Sequence, residues 1–504
     1  MEAKNKRVAI VGAGPSGLTA CKHLLARGFR PVVFDAGSAV GGVWRRTLAS
    51  TRLQTPAAPY RFSDFPWPEA AVAAEASFPR HDEVAAYLAA YARRFGVLER
   101  VRFGCRVVGA AEEEVAAWER WSGTGEAFGD GTGEWHLTVM SHDSGEAPST
   151  QVHKFDFLIL CVGRYGVAKL PTFPDGGGVP EAFQGRVLHS MEYSSMAHAD
   201  AAELVRAKRV VVVGAGKSAL DTAAQCAEAN GRRYPCTLLY RSAHWMLDPQ
   251  VAPRFKFSLL TTTRLGELMV HKPGEGLALS LVATMLTPLV VDHEAEGGLL
   301  QGAHPDGEAR DGAGLQLPAI RPRVAASAPT ALVLDDDAMV NADVVILATG
   351  YDPDAPLRAV FTSPRFRDTI ASSSSSDNND AVLPLYRQCV HPRIPQMAVV
   401  GYAESGASVY PYEMMAKWVA HLLDGAVRLP GVREMEREVE EWTRWGRWAR
   451  RSSGGFFLKS CIHAVTTWYH DLLCRDMGYS PRRKAGFLAE WTQPYGPADY
   501  AGIQ

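Results

Sequence analysis

Two glycine-rich turns, one near the N-terminus and one near the middle of the chain, constrain this sequence more than any other feature. The first reads Val-Ala-Ile-Val-Gly-Ala-Gly-Pro-Ser-Gly-Leu at 8–18, and the second reads Val-Val-Val-Val-Gly-Ala-Gly-Lys-Ser-Ala-Leu-Asp at 210–221. Each follows a run of aliphatic residues and opens a helix-like stretch, which is the context that a dinucleotide-binding turn requires. The glycines allow a tight bend and a close approach of a pyrophosphate to the backbone, and the helix N-terminus offers N–H groups to the phosphates. Two such turns predict an enzyme that holds two dinucleotides, most simply a flavin and a nicotinamide.

The residue that ends the strand after each turn indicates which dinucleotide binds there. The strand after the first turn ends at Asp35, and a carboxylate at this place accepts hydrogen bonds from a ribose 2′-OH but repels a 2′-phosphate. FAD or NAD therefore fits the first site. The corresponding strand after the second turn ends at Arg241, whose guanidinium can pair with a 2′-phosphate. NADPH is favoured at the second site, the alternative being that Arg241 is an ordinary surface arginine.

The turns themselves supply most of the candidate cofactor-binding residues. In the second turn Ala219 replaces the third glycine, which adds one methyl group between helix and strand. We predict dinucleotide contacts at Gly12, Ala13, Gly14, Pro15, Ser16, Gly17 and Asp35 in the first site, and at Gly214, Ala215, Gly216, Lys217, Ser218, Ala219 and Arg241 in the second.

The composition is that of a large globular chain without a charge bias. It has 504 residues, 47% of them hydrophobic, and a net charge of −2, so it can form two or three packed cores and shows no sign of a nucleic-acid partner. Its eight cysteines include no Cys-x-x-Cys pair, which favours buried free thiols and predicts no metal site. The apolar stretch at 277–291 is shorter than a bilayer requires, so it either lies on a membrane or covers an active site. We expect a cytoplasmic protein without a transmembrane segment.

The order of the segments predicts an α/β fold with two Rossmann-like dinucleotide-binding domains, the NADPH domain being inserted into the FAD domain. The expected divisions are 1–170 for the first part of the FAD domain, 171–335 for the NADPH domain, and 336–504 for the rest with a C-terminal helical region. The strand at 343–350 is expected to return the chain to the first domain. Hydrophobic periodicity predicts helices at 83–94, 412–423 and 432–451, and the polar run at 372–380 predicts a surface loop.

A motif between the two turns carries a family resemblance. Phe183, Gly185, His189 and Tyr193 match Phe-x-Gly-x-x-x-His-x-x-x-Tyr/Phe, which resembles the identifying motif of flavin-containing monooxygenases. The segments Gly-Gly-x-Trp at 41–44, Ser-Asp-Phe-Pro at 63–66 and Ala-Thr-Gly at 348–350 are similar to further segments of that family. The resemblance covers the chain from about Val8 to Tyr351 and implies FAD at the first turn and NADPH at the second.

The resemblance adds site residues that the turns alone do not indicate. It implies flavin contacts at Gly42, Trp44, Thr349 and Gly350. It also places Gln54, as a candidate catalytic residue, where many members carry an Asn near the oxygen-reacting face of the flavin; the alternative is that Gln54 satisfies local backbone. Asp35 stands where the family usually has Glu.

Two groups of conspicuous side chains favour packing over catalysis. We interpret His189 as a hydrogen-bonded packing residue of the linker rather than a general acid or base. The tryptophans at 442, 445 and 448 share one helix face, which favours core or interface packing over a substrate cage.

The segments at 467–471, 487–491 and 494–497 look like those of plant members, nearest to the branch that N-hydroxylates pipecolic acid. A plant sulfoxidising member is the competing interpretation. The resemblance implies that NADPH reduces FAD, that O₂ gives a flavin hydroperoxide in dry surroundings, and that a nucleophilic nitrogen or sulfur of a small molecule attacks it.

Three other classes are less compatible with the sequence. A flavin disulfide reductase needs a cysteine pair that is missing here, and a Baeyer–Villiger oxygenase favours Trp at the position of Tyr193. The intact glycines of the first turn and the near-complete second turn count against a nucleotide-sensing scaffold with a degenerate active site.

Overall fold

The computed structural model describes most of the chain. It covers residues 5–68, 78–113, 125–128, 133–141, 148–171, 183–240, 262–286, 324–328, 330–334, 338–370, 383–405, 409–452 and 461–504. Arg241, the predicted loop at 372–380 and the second part of the apolar stretch at 277–291 lie outside the described residues.

The elements alternate between short buried strands and helices, as the sequence pattern predicts. In chain order the strands are β1 (Val8–Val11), β2 (Val32–Phe34), β3 (Val101–Arg102), β4 (Cys105–Glu113), β5 (Glu134–Ser141), β6 (Ser149–Phe155), β7 (Phe157–Leu160), β8 (Arg186–His189), β9 (Val210–Val213), β10 (Thr237–Leu239), β11 (Val324–Ala328), β12 (Ala331–Leu334), β13 (Met339–Asn341), β14 (Val344–Leu347) and β15 (Met397–Val399). The helices are α1 (Pro15–Ala26), α2 (His81–Arg94), α3 (Ser190–Ser195), α4 (His198–Val205), α5 (Lys217–Asn230), α6 (Arg264–Glu267), α7 (Leu277–Leu286), α8 (Ala355–Val360), α9 (Pro364–Ile370), α10 (Tyr410–Leu423), α11 (Val432–Ser452), α12 (Thr466–Asp476) and α13 (Phe487–Thr492).

A parallel sheet forms the centre of the first unit, with strand order β15-β7-β1-β2-β3. Its central strand β1 pairs Ala9 with Val32 on one side and with Leu158 on the other. All four residues of β1 are buried, because helices and a second sheet cover both faces of a parallel sheet. The aliphatic run before the first glycine turn therefore forms the middle of a doubly covered sheet.

The second unit repeats this arrangement around the second glycine turn. Its parallel sheet has the order β10-β9-β14-β8, with β9 between β10 and β14. β9 thus corresponds to β1, β10 to β2, and β14 to β7. The two units confirm the prediction of two Rossmann-like dinucleotide-binding folds.

The strand at 344–347 belongs to the second sheet, because Val344 pairs with both Val210 and Arg186. The prediction that the segment 343–350 returns the chain to the first domain, and that this domain resumes at residue 336, is therefore wrong at this strand. The physical reason is the internal repeat. Each unit contains a buried aliphatic strand that ends near a glycine, and the sequence pattern alone does not assign such a strand to one sheet.

Two antiparallel sheets cover the parallel ones. β4, β5 and β6 form one of them, and its Trp135 and Leu137 are buried in a cluster with Leu158 of the first sheet. β11, β12 and β13 form the other, whose Leu332 packs in a cluster with Val345 of the second sheet.

The helices predicted at 83–94, 412–423 and 432–451 are confirmed as α2, α10 and α11. α1, which leaves the first glycine turn, packs against α10. On α11, Trp442 and Trp445 are buried and Trp448 is half-buried, and Trp442 lies 5.8 Å from the ring of Tyr469. The aromatic face of α11 therefore serves packing, as predicted.

All eight cysteines are free thiols, and six of them are buried, the exceptions being Cys105 and Cys461. Within the described residues, no helix is long and apolar enough to cross a membrane.

Two linkers connect the units and run side by side. The segment 163–171 leads from the first unit to the second, and the segment 348–354 leads back. Ala168 and Tyr351 form an antiparallel bridge, and the N–H groups of Lys169 and Asp352 donate to Gly350 and Val167 at 3.0 Å each. The carboxyl ends of β7 and β14, where ligands bind in open α/β sheets, both lead directly into this crossing.

Candidate active site between two dinucleotide units

The first glycine turn is held closed by backbone contacts at its two ends. The N–H of Gly12 donates to Phe34 O at 2.8 Å, and Gly12 adopts a φ of +107°. A Cβ placed on Gly12 would lie 2.4 Å from Cys161 O, and one placed on Gly17 would lie 1.8 Å from Gly12 O. Glycine is required at both positions, because helix, turn and strand pack in van der Waals contact there.

The middle glycine of this turn borders open space instead. Gly14 has an ordinary φ of −76° and precedes α1 directly. Within the described residues, a Cβ placed on Gly14 would meet only the Cα of Gly42 within 4 Å, at 3.7 Å. The fold leaves room in front of the helix N-terminus that it does not need for its own packing, and this is the space that a pyrophosphate requires. These residues therefore fit FAD.

The segment that follows Asp35 closes over the turn. The N–H of Gly41 donates to Ala13 O at 3.0 Å, which brings Gly42 next to Gly14. Asp35 is half-buried, and its carboxylate accepts the N–H groups of Ala13 and Gly37 at 2.7 Å each. Because a carboxylate has about four acceptor positions, it can still accept a ribose hydroxyl, and that role stays a prediction.

Trp44 and Gln54 differ in what holds them. The indole N–H of Trp44 donates to Tyr60 Oη at 3.0 Å, and the two rings meet edge to face at 5.9 Å. Leu53 is buried and its N–H donates to Pro79 O at 2.9 Å, whereas the neighbouring Gln54 is exposed. The exposure of Gln54 does not support the alternative that its amide satisfies local backbone, and a role near the flavin stays a prediction.

The second turn has the same geometry. The N–H of Gly214 donates to Leu239 O at 2.8 Å, and a Cβ on Gly214 would lie 2.2 Å from Ala348 O. No atom of the described residues lies within 4 Å of a Cβ placed on Gly216. The methyl group of Ala219 is fully buried, so the fold accommodates the missing third glycine.

The exposed end of the second turn is polar. Lys217 and Ser218 are exposed at the start of α5, and the Lys217 amine pairs with Asp221. Ala215 is half-buried. This end of the second unit, with open space at Gly216, fits a second dinucleotide; Arg241 lies outside the described residues, and its pairing with a 2′-phosphate stays a prediction.

Thr349 and Gly350 lie elsewhere than the first-site residues. They follow β14 of the second sheet, and the Thr349 hydroxyl donates to Lys169 O at 2.6 Å in the opposite linker. Gly350 has a φ of +89°. The structure thus places both residues at the linker crossing and not beside Gly12–Gly17. The strand pairing does not support the flavin contact that the resemblance implies for them.

The motif between the turns supports the same crossing. A Cβ on Gly185 would lie 2.6 Å from Asp343 O, which explains the glycine. His189 Nδ1 accepts the Met191 N–H at 3.1 Å, and its ring packs against Tyr351 at 5.6 Å. Burial lowers the pKa of His189. These contacts fit the interpretation of His189 as a packing residue of the linker, which stays a prediction.

Sequence reasoning missed a contribution from the last strand of the first sheet. Gly401, with a φ of +87°, comes so close to α1 that a Cβ on it would lie 1.9 Å from Ser16 Oγ. Three residues later, Glu404 pairs with Arg164, which follows β7. The available signal was the aliphatic run at 397–400 followed by glycine, which repeats the pattern of the other site-forming strands.

A family model described as flavin-binding monooxygenase-like matches residues 5–454 of this chain. A probable flavin-containing monooxygenase 1 of Arabidopsis thaliana is 34% identical, covering 98% of this chain and 96% of its own length. The chain belongs to the flavin-binding monooxygenase family. A putative flavin-containing monooxygenase 2 of the same plant is 33% identical over 95% of this chain and 98% of its own length.

Solved structures share the fold of this flavin monooxygenase. An S-allyl-L-cysteine S-oxygenase from Allium sativum has a TM-score of 0.59 at 20% identity, covering 94% of this chain and 89% of its own. An oxidised steroid monooxygenase bound to NADP has a TM-score of 0.61 at 17% identity, covering 94% and 98%. Membership of this family identifies the cofactors as FAD and NADPH and the reaction as an NADPH-dependent monooxygenation.

Proposed function

We propose that this flavin monooxygenase oxygenates a nucleophilic nitrogen or sulfur of a small molecule, and that N-hydroxylation of pipecolic acid is its reaction. The reaction class follows from the family, and the observation that carries the two cofactors is the pair of glycine turns, each with open space at its middle glycine, in two units whose ligand-binding edges meet at the linker crossing. When bound, the flavin supplies the electron transfer from NADPH to O₂ that side chains cannot provide. The polypeptide binds and orients the two dinucleotides and excludes water.

The segments on which the plant resemblance rests form a connected structure. Arg264 of α6 donates to both carboxylate oxygens of Asp471, at 2.5 and 2.9 Å, and to Glu490 at 2.5 Å. Glu267 is buried and accepts the N–H groups of Thr467 and Trp468 at 2.8 and 3.1 Å, which caps the N-terminus of α12. These segments therefore hold the piece 262–286, which is inserted in the second unit, against the C-terminal helices.

This connection shows that the segments of the plant resemblance pack together in one structure, and the plant relatives at 34% and 33% identity support the plant branch. It does not involve a substrate, so the choice of pipecolic acid rests on the resemblance. The second candidate is S-oxygenation of a thioether, the reaction named for the S-allyl-L-cysteine S-oxygenase that shares this fold.

Turnover of the purified FAD-loaded protein with NADPH and O₂ tests the proposal. Pipecolic acid should yield a product heavier by one oxygen, with ¹⁸O₂ supplying that atom. A product from S-allyl-L-cysteine alone would establish the sulfur alternative. NADPH consumption that yields only peroxide with both compounds would contradict both candidates. If the protein consumed no NADPH, the result would favour the alternative of a nucleotide-sensing scaffold without turnover. The cytoplasmic location expected from the sequence stays a prediction.

A further inference from the structure

A buried ion pair lies at the ligand-binding edge of the first sheet. Arg164 follows β7 and Glu404 follows β15, which are neighbouring strands. Arg164 Nη1 lies 3.2 Å from Glu404 Oε1, and the two side chains are 9% and 21% exposed. The same guanidinium donates to Tyr402 O at 3.1 Å and stacks over the Tyr402 ring at 4.7 Å. The pair is therefore held in a fixed geometry by the ends of two strands.

Its position connects it with the flavin turn and with both linkers. Gly401, directly before Tyr402, contacts Ser16 in the first turn of α1. The Tyr165 hydroxyl donates to Glu404 at 3.4 Å, and the Tyr165 ring packs against Tyr351 of the returning linker at 5.4 Å. Tyr165 is 52% exposed and the Glu404 side chain is 21% exposed, so the Glu404 end of the pair reaches solvent.

Stability alone is a weak explanation for this pair. Removing two charges from water is costly, and apolar replacements of buried ion pairs are often neutral or stabilising. A guanidinium beside a carboxylate, next to aromatic rings, is however the complement of a zwitterion. Arginine matches a carboxylate geometrically, and a carboxylate accepts hydrogen bonds from an ammonium.

We propose that Arg164 and Glu404 select α-amino acids as substrates, Arg164 taking the carboxylate and Glu404 accepting a hydrogen bond from an N–H of the amino group. Where that nitrogen is the atom oxygenated, it reacts as the neutral amine, after its ammonium proton has left to solvent. This inference rests on the proposed function and narrows its substrate class. Pipecolic acid and S-allyl-L-cysteine both belong to that class. An amine without a carboxylate offers no partner to Arg164, and a simple thioether offers none to either residue.

Matched probes test this selection on the FAD-loaded enzyme with NADPH and O₂. Pipecolic acid is compared with piperidine, which lacks only the carboxylate, and S-allyl-L-cysteine with allyl methyl sulfide, which lacks both the carboxylate and the amino group. In Arg164→Gln, kcat/KM for the amino acid should fall by about 10- to 100-fold, mainly through KM, because a hydrogen bond to a charged group is lost. The value for the analogue should stay unchanged. Arg164→Lys keeps the charge without the planar fork, so its kcat/KM for the amino acid should lie between those of the wild type and Arg164→Gln.

The control variant removes a comparable ion pair far from the linkers. Arg387 is 13% exposed and pairs with Glu438 and Asp476 among the C-terminal helices. Arg387→Gln should lower the Tm but leave the ratio of amino acid to analogue unchanged. Because the ratio is measured within one preparation, partial unfolding of a variant does not alter it.

A binding measurement separates recognition from turnover. The amino acid should raise the Tm of the FAD-loaded wild type in the presence of NADP⁺, and it should not raise that of Arg164→Gln or Glu404→Gln. Equal losses for amino acid and analogue, or an unaltered ratio in both variants, would overturn the inference and leave the proposed function intact. If the wild type oxygenated none of the four compounds, the proposed function would fail and the inference with it.

Discussion

Replacing Gly14 should abolish FAD binding and leave the polypeptide folded. A Cβ at this position meets only the Cα of Gly42 within 4 Å, at an ordinary contact distance of 3.7 Å, and the φ of −76° suits any residue. Gly14→Val therefore strains little within the protein, but its side chain fills the space before the N-terminus of α1. Each charge-assisted hydrogen bond to a phosphate that is lost should cost about 1.5–3 kcal/mol, so two of them weaken FAD by roughly 100-fold or more. Gly14→Ala should show a smaller loss.

Reconstitution of the apoprotein with FAD, followed by flavin fluorescence, measures this effect. The Tm of the apo variant should match that of the apo wild type, and FAD should no longer raise it; at a concentration 100 times the Kd, such a ligand stabilises by about 2.7 kcal/mol. Gly216→Val is the matched control, because Gly216 occupies the same place in the second turn: it should retain FAD and weaken NADPH. Gly17→Ala should instead prevent folding, since its Cβ would lie 1.8 Å from Gly12 O. Stoichiometric FAD in purified Gly14→Val would refute the assignment of this turn.

Three further changes have defined outcomes. Arg241→Ala should weaken NADPH by about 1.5–3 kcal/mol and leave NADH nearly unchanged in nicotinamide titrations; equal losses would place the discrimination elsewhere. Gln54→Ala should leave flavin reduction by NADPH intact but release more peroxide per NADPH consumed, and an unchanged ratio would make Gln54 structural. Glu413 is 1% exposed and accepts the Ser63 N–H at 2.6 Å. Glu413→Gln should lower the free energy of unfolding in urea by about 3–5 kcal/mol, because Lys417 loses its counter-charge. Burial opposes its ionisation, yet Lys417 and its other cationic neighbours lower the pKa of Glu413 from 4.5 to about 2; the wild type should therefore lose this stability as the pH falls through that range, and Glu413→Gln should not.

Local sequence patterns predicted the two units because each unit is built from contiguous signals. An aliphatic run, a glycine turn and a helix follow one another within a short stretch, and their physical requirements are local: a positive φ at Gly12 and close packing at Gly17. The assignment of β14 failed for the opposite reason. Strand pairing joins Val344 to Val210, and a contact over that separation leaves no trace in the composition of either strand.

The candidate site shows the same division between local and long-range information. Asp35 and the glycines were identified because a ligand constrains them within one βαβ unit. Arg164 and Glu404 were not identified, since an arginine after one strand and a glutamate after another are unremarkable until β7 and β15 pair. The C-terminal segments were recognised through resemblance, but their connection to Arg264 and Glu267 depends on tertiary packing alone.

The distribution of glycines in the two turns separates what the fold needs from what the ligands need. At Gly12, Gly17 and Gly214 an added Cβ would overlap backbone atoms of this chain, so the fold itself requires glycine there. At Gly14 and Gly216 the described residues leave the space open, and packing gives no reason for glycine at either position. Both are helix N-caps, where the side chain of Ser, Thr, Asn or Asp would satisfy the free helix N–H groups and glycine cannot. Two units that each retain an unneeded glycine at the same point, directly before a helix N-terminus, are best explained by two bound pyrophosphates, and this explanation holds whichever substrate the enzyme oxygenates.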